Sequence, residues 1–185
     1  MKTTLVVLLF LSSPTPSSAP EGHAYLTYGG FTLGTVTLQD VQARLGPAPL
    51  TVTGDAGSYE AALCYHVASV TVRFTSGELG GSARTLLGFE LQEGRIPAAS
   101  TCLALKSESV PPLGSAIAGI KLGMSRSAFA RSLGPPLRET ASSVERVSCG
   151  TRVTAGVTYD VCVFVEGSFI KDHLSRLAVH LTETH

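Results

Sequence analysis

The amino-acid sequence predicts an α+β protein of two tandem units, each a short helix packed on a mostly antiparallel sheet of three or four strands. Three observations support this prediction: a motif that occurs twice, alternating apolar and polar segments after each copy, and a globular composition with 44% hydrophobic and 15% charged residues. The 185 residues are enough for two small units. We expect a signal peptide at residues 1–20, the first unit at 21–105, a linker at 106–115 and the second unit at 116–185.

The first twenty residues have the pattern of a secretory signal peptide. Lys2 is followed by an apolar run, Leu5–Leu11, and then by a stretch rich in Ser, Pro and Ala. This run is too short to span a bilayer, which takes about 20 residues. Cleavage after Ala19 and cleavage after Ala24 both remain open. The sequence therefore predicts an exported protein, periplasmic or secreted, without a membrane-inserted segment.

The repeated motif reads GFTLGTVTLQDVQARLGPAP from Gly30 and GIKLGMSRSAFARSLGPPL from Gly119. Matching glycines lie at a nearly constant distance, because Gly34 and Gly123 are 89 positions apart and Gly77 and Gly167 are 90 positions apart. A constant offset of this kind indicates duplication.

Each copy of the motif predicts a helix of two to three turns. A hydroxyl residue suited to cap the helix comes first, an apolar pair four positions apart follows, and a Gly-Pro pair ends the helix. In the first copy the residues are Thr37, Val41, Leu45, Gly46 and Pro47, with Asp40 placed for a capping box. In the second copy they are Ser125, Phe129, Leu133, Gly134 and Pro135.

Strands are predicted after each helix from their alternation of apolar and polar residues. The first unit has EAALCYHV, SVTVRFTSGEL and TLLGFELQE, and the second has RVSCGTRV, DVCVFVEG and a segment around Val179. STCLALKS could add a fourth strand to the first sheet. Turns are predicted at Gly77 and Gly167. Val72 and Phe74 should face the helix, and Arg73 should face the opposite side.

Four cysteines in an exported chain predict two disulfides. Three pairings are possible. We favour Cys64 with Cys102 and Cys149 with Cys162, because each pair then lies within one predicted unit.

Charge and residue pattern argue against several function classes. Fourteen basic residues balance fourteen acidic ones without clustering, so the chain has no electrostatic footprint for nucleic acid or an anionic membrane. The five histidines are scattered without metal-ligand spacing, and no catalytic or cofactor-binding motif is present. We expect no metal, no cofactor and no enzymatic activity. The alternative is an enzyme with an unrecognised Cys/His site, for which Cys64 and His66 are the nearest pair.

An apolar patch is predicted on the second sheet. If DVCVFVEG has the phase of the matching first-unit strand, Val161, Val163 and Val165 lie on the side away from the helix. An uncovered apolar patch usually marks an interaction site. The alternative is that the two units or the linker cover these valines.

Three further residues are candidate partner contacts. Tyr25 and Tyr28 cluster near the start of the mature chain, and amphipathic aromatic side chains suit recognition, although core packing would also explain them. Arg73 is a charge on the predicted open side of its strand.

The Leu-Gly start, short helix and Leu-Gly-Pro stop, followed by an antiparallel sheet, resemble the repeat shared by the SmpA/OmlA outer-membrane-assembly lipoproteins and the β-lactamase inhibitory proteins. The resemblance implies tandem α+β units whose sheets form one concave surface that grips a protein. We therefore expect a protein-binding module, with inhibition of a secreted hydrolase such as a β-lactamase as a special case. A structural component of a cell-envelope complex is the alternative.

Overall fold

A computed structural model describes residues 23–94, 102–106, 113–135, 137–154 and 156–184. The predicted signal peptide at 1–20 and most of the predicted linker lie outside these residues. The helices are α1 Leu38–Leu45 and α2 Arg126–Leu133. The strands are β1 Thr27–Tyr28, β2 Phe31–Thr32, β3 Leu50–Thr53, β4 Glu60–Val67, β5 Val70–Gly77, β6 Gly88–Glu93, β7 Leu103–Leu105, β8 Ala116–Ile117, β9 Ile120–Lys121, β10 Arg138–Glu139, β11 Ser143–Thr154, β12 Val157–Ile170 and β13 His173–Thr184.

The long strands of both halves of the chain belong to one sheet. Its order is β10-β11-β12-β13-β6-β5-β4-β3, all antiparallel, and β7 adds a short parallel pairing with β4. The two halves meet where β6 pairs with β13, with Phe89 opposite Val179. The α+β class with a mostly antiparallel sheet is confirmed. The strands form one shared sheet, whereas the sequence analysis described a sheet for each unit.

The helix boundaries follow the predicted caps. The Thr37 hydroxyl accepts a hydrogen bond from the Asp40 N–H, and the Asp40 carboxylate accepts one from the Thr37 N–H at 2.7 Å, which completes the capping box. Ser125 caps α2 in the same way without the carboxylate. Gly46 and Gly134 end the two helices with φ of 102° and 66°, a region that favours glycine.

Both helices pack on the same face of the sheet. Their apolar pairs are buried, as predicted, in one continuous core with the sheet. A helix of two turns is marginal alone, so this burial is what stabilises it. The largest fully buried side chains are Tyr65, Phe31, Phe74, Phe89, Phe129, Leu38, Leu63, Leu86, Leu91, Ile117, Ile120 and Leu133.

A short hairpin precedes each helix and was not predicted. Gly29 and Gly30 join β1 to β2, and Ala118 and Gly119 join β8 to β9. All four have positive φ, as the two-residue turn of a twisted hairpin requires. The hairpins add apolar side chains to the same core, so hairpin, helix and strands follow one another in the same order in both halves.

The side chains of β12 face the direction opposite to the prediction. Val163 pairs with Leu181 and Val165 pairs with Val179 in β13. Directly opposed residues share a face of the sheet, and all four are buried beneath the helices. The expected exposed apolar patch at Val161, Val163 and Val165 is therefore wrong.

The connections between strands explain this error. A ten-residue segment that contains a 3-10 turn at Glu78–Gly80 joins β5 to β6. A two-residue turn, Lys171 and Asp172, joins β12 to β13, and the register shifts between Ser168 and Phe169. Residues that face the helices are therefore an even number of positions apart in β6 and β13, as Phe89 and Val179 are, but an odd number apart in β5 and β12, as Phe74 and Val165 are. A shift of one residue moves every side chain to the other face.

Gly167 lies inside β12 and not in a turn, which corrects a second prediction. A Cβ atom at this position would lie 2.7 Å from both Leu174 and Phe129. Glycine is required here because α2 places the Phe129 ring against the strand backbone. Gly77, the other predicted turn residue, is the last residue of β5, and a 3-10 turn at Glu78–Gly80 follows it.

Both predicted disulfides are present. Cys64 bonds to Cys102 and Cys149 bonds to Cys162, with Cα–Cα distances of 4.5 and 4.1 Å. All four cysteines are thus oxidised. Two disulfides in a chain of this size indicate an oxidising environment.

Candidate functional site

One face of the sheet is covered and the other is open. The helices and the short hairpins pack on the first face, and no helix or strand of the described residues packs on the second. We call the second surface the open face. Its central side chains come from six neighbouring strands and are Glu60, Arg73, Thr75, Glu90, Arg176, His180, Phe164, Glu166 and Val147.

Five charged residues form a ladder across the open face, from β4 to β12. Arg73 donates to Glu60 at 2.7 Å and lies 3.6 Å from Glu90. Arg176 lies 2.9 Å from Glu90 and 3.4 Å from Glu166. Each arginine therefore bridges two carboxylates, and Glu90 joins the two bridges where β6 meets β5 and β13.

Glu90 is the buried centre of this ladder, with 8% of its surface exposed. Burial alone would raise the pKa of Glu90, but the hydrogen bond from Arg176 and the charges of Arg176 and Arg73 lower it overall. The same hydrogen bond raises the pKa of Arg176, against the effect of burial. Glu90 and Arg176 are therefore both ionised at neutral pH.

His180 lies beside the ladder on the same face. Burial lowers the pKa of its imidazole, and the charge of Arg176 lowers it further, against the opposing effect of Glu90 and the other carboxylates. His180 is therefore neutral at pH 7. Its cross-strand neighbours are Gly88 and Phe164. A Cβ atom at Gly88 would lie 2.8 Å from the imidazole Nδ1, so glycine leaves the space that His180 occupies.

Phe164 and Val147 provide the apolar part of the open face. They are directly opposed on β12 and β11, next to His180. Phe164 is half-buried and Val147 is exposed. An aromatic side chain between charged and neutral polar groups is typical of protein interfaces.

A groove of about 400 Å³ opens at one end of the ladder. β6 begins at Gly88, opposite Thr75, so the end of β5 at Gly77 extends beyond the start of β6. On the other side of this gap, the last backbone hydrogen bond from β13 to the chain before β6 runs from the Leu181 N–H to the Leu87 carbonyl. Its lining combines hydroxyl, carboxylate and imidazole groups with three leucines. The residues are Ser58, Tyr59, Glu60, Thr75, Ser76, Gly77, Glu78, Leu79, Leu87, His180, Leu181 and Thr182.

The structure places one predicted contact residue on this face. Arg73 lies there, as expected, with 30% of its side chain exposed. Tyr25 and Tyr28 are buried on the covered side, where their hydroxyls donate to the Ser132 and Gly114 carbonyls. Burial raises the pKa of Tyr28. Val161 is partly buried against the same core as Val163 and Val165.

The other residues of the open face were not predicted as contact residues. Glu90 and Arg176 alternate with buried residues of their strands, a pattern visible in the sequence, but only the pairing of β6 with β13 brings them together. Phe164 was expected on the covered face, because the alternation of side chains along β12 was predicted one residue out of phase. His180 lies between two buried residues of its strand, Val179 and Leu181.

The arrangement offers recognition groups and few reactive ones. The cysteine of the Cys64 and His66 pair is held in a disulfide, and the His66 Nδ1 lies 3.3 Å from the Thr71 hydroxyl. The described residues contain no group of three or more His, Cys, Asp or Glu that could hold a metal ion. In the same part of the chain, no helix is long and apolar enough to cross a bilayer.

Comparisons with known proteins give little further information. A scan against protein-family models matches no family, and a search of curated proteins finds no match. Among solved structures, the chain is similar to a protein from Streptococcus mutans described as a "putative beta-lactamase inhibitor protein". The identity is 10%, the TM-score is 0.28, and the alignment covers 86% of this chain and 89% of that one. A similarity at this level carries no argument about this chain.

Proposed function

We propose that this chain is an exported protein-binding module that holds its partner on the open face of the sheet. The observation that carries the proposal is a six-strand surface with a charge ladder, an aromatic side chain and a groove, over which no described element packs. Fixed charges of both signs give specificity in a protein interface, and a central aromatic gives affinity.

We further propose that the two halves are tandem units. One hydrogen bond at the helix start recurs in both halves: the Leu38 N–H donates to the Arg84 carbonyl at 3.0 Å, and the Arg126 N–H donates to the Asp172 carbonyl at 3.1 Å. Each bond ties a helix start to the segment that leads into β6 or β13. This recurrence, together with the repeated motif, supports duplication.

Inhibition of a secreted hydrolase such as a β-lactamase is the specific form of this function that the repeated motif suggests. Titration of purified β-lactamases with the oxidised protein, while hydrolysis of a chromogenic β-lactam is followed, tests this form. Full activity at saturating protein would exclude it and leave the binding function standing.

The binding function is tested with the full oxidised chain as an immobilised bait in secreted and envelope fractions of the cells that make it. We expect one protein to be retained in a fixed ratio, and Phe164→Ser to weaken its binding by about tenfold or more. Phe169→Ser is a matched control on the same strand, because the Phe169 ring packs on Phe129 of α2. Circular dichroism establishes that both variants fold.

The same experiment separates the alternatives. Retention of a large envelope assembly would favour a structural component. Retention of no protein, or equal retention by the wild type and Phe164→Ser, would overturn the proposed binding face.

A further inference from the structure

The outer edge of β11 is a long free strand edge. β10 pairs with β11 only at Val144 and Glu145. From residue 146 to residue 154, β11 has β12 on one side and no strand of the described residues on the other. Free edges of this length pair readily with another strand.

The backbone groups that point outward at this edge can be identified. The Ser143 carbonyl accepts the Thr140 N–H on the outer side. The Cα–Cα distance of 4.1 Å between Cys149 and Cys162 is that of a non-hydrogen-bonded pair, so the Cys149 N–H and carbonyl also point outward. Because backbone direction alternates along a strand, Val147, Thr151 and Val153 do the same.

This edge is complementary to itself. The midpoint of residues 146–154 is Gly150. A two-fold axis through Gly150, perpendicular to the sheet, places Val147 opposite the partner's Val153 and Cys149 opposite the partner's Thr151. All four outward-pointing residues of each copy then form hydrogen-bonded pairs, and Gly150 meets the partner's Gly150 at a close, non-hydrogen-bonded position.

Side chains favour this register over its neighbours. Val147 and Val153 expose 37% and 68% of their surfaces and would cover each other. An axis through Cys149 would place Val153 opposite the partner's Glu145, which already pairs with β10. An axis through Ser148 would need Glu145, which already pairs with β10. Gly150 has no Cβ atom, so the close, non-hydrogen-bonded Gly150 pair brings no side chains together.

We propose that two copies of this chain associate through the β11 edges, about a two-fold axis at Gly150. The open faces of both copies then lie on the same side of one continuous sheet. The contact is one strand wide, a size typical of transient complexes. Dimer formation should therefore depend on concentration.

Sedimentation velocity on the full oxidised chain, from about 1 μM to about 1 mM, should show a monomer–dimer equilibrium. Val153→Lys should weaken the dimer by about tenfold or more, because it sets a charge against the partner's Val147. Under mild oxidation, Gly150→Cys should form a disulfide-linked dimer. Val52→Cys is the control, since Val52 is exposed on β3 at the opposite edge of the sheet.

Peptide mapping should show both native disulfides intact and one new bond between the two introduced thiols. Three results would overturn the proposal: a wild-type chain that stays monomeric over the whole range, a dimer unaffected by Val153→Lys, or cross-linking of Gly150→Cys no faster than that of Val52→Cys.

Discussion

Substitution of Glu90 by Gln removes the charge at the centre of the ladder while it preserves the shape of the side chain. Removal of one partner from a buried ion pair costs about 3 to 5 kcal/mol. Arg73 and Arg176 expose 30% and 31% of their side chains and keep their outer carboxylates, so solvent offsets part of this cost. We therefore expect Glu90→Gln to lower the free energy of unfolding by about 2 kcal/mol at neutral pH.

Urea titration with the disulfides intact measures this difference. Because the pKa of Glu90 is lowered from its ordinary value of 4.5, its contribution is present above pH 4.5 and is lost as the pH falls through the folded pKa. The wild type and Glu90→Gln should therefore converge in acid. Glu166→Gln, at the exposed end of the ladder, should cost less than about 1 kcal/mol. Equal unfolding midpoints of wild type and Glu90→Gln at neutral pH, or a difference that persists unchanged in acid, would refute this account.

Three further substitutions test other features by urea or thermal unfolding. Gly167→Ala should lower stability by about 1 to 3 kcal/mol because its Cβ would collide with Phe129, whereas Gly150→Ala in dilute solution should not; equal effects would contradict the packing argument. Burial lowers the pKa of His180, so stability should fall as the pH drops below 6.5; His180→Gln should lose this dependence, and an unchanged pH profile would contradict the assignment. Ser125→Ala should cost about 1 kcal/mol through loss of the α2 cap, and no change would argue against the cap.

Local signals in the sequence predicted much of the fold. The caps at Thr37 and Ser125, the Gly-Pro stops and the strand EAALCYHV involve contacts between residues close in the chain, and all lie where they were expected. The disulfides were predicted because each pair lies within one half of the chain. The hairpins before the helices had a usable signal in YGGF and IAGI, because Gly-Gly and Ala-Gly turns tolerate positive φ.

Features set by long-range pairing were not predicted. The face of each β12 side chain depends on the register with β13 and on the shift near Ser168. The charge ladder depends on the meeting of β6 and β13, strands far apart in the chain, and no local pattern specifies that contact. Of the predicted contact residues, only Arg73 lies on the open face. Its strand is the one for which the two faces were predicted correctly.

The pairing of β6 with β13 also determines how the protein can fold. β6 belongs to the first half of the chain, and β13 follows every other described strand. The middle of the sheet therefore closes only after residues 173–184 have been synthesised. Until then β6 pairs only with β5 and β12 pairs only with β11, so we expect the two halves to unfold together in one cooperative transition.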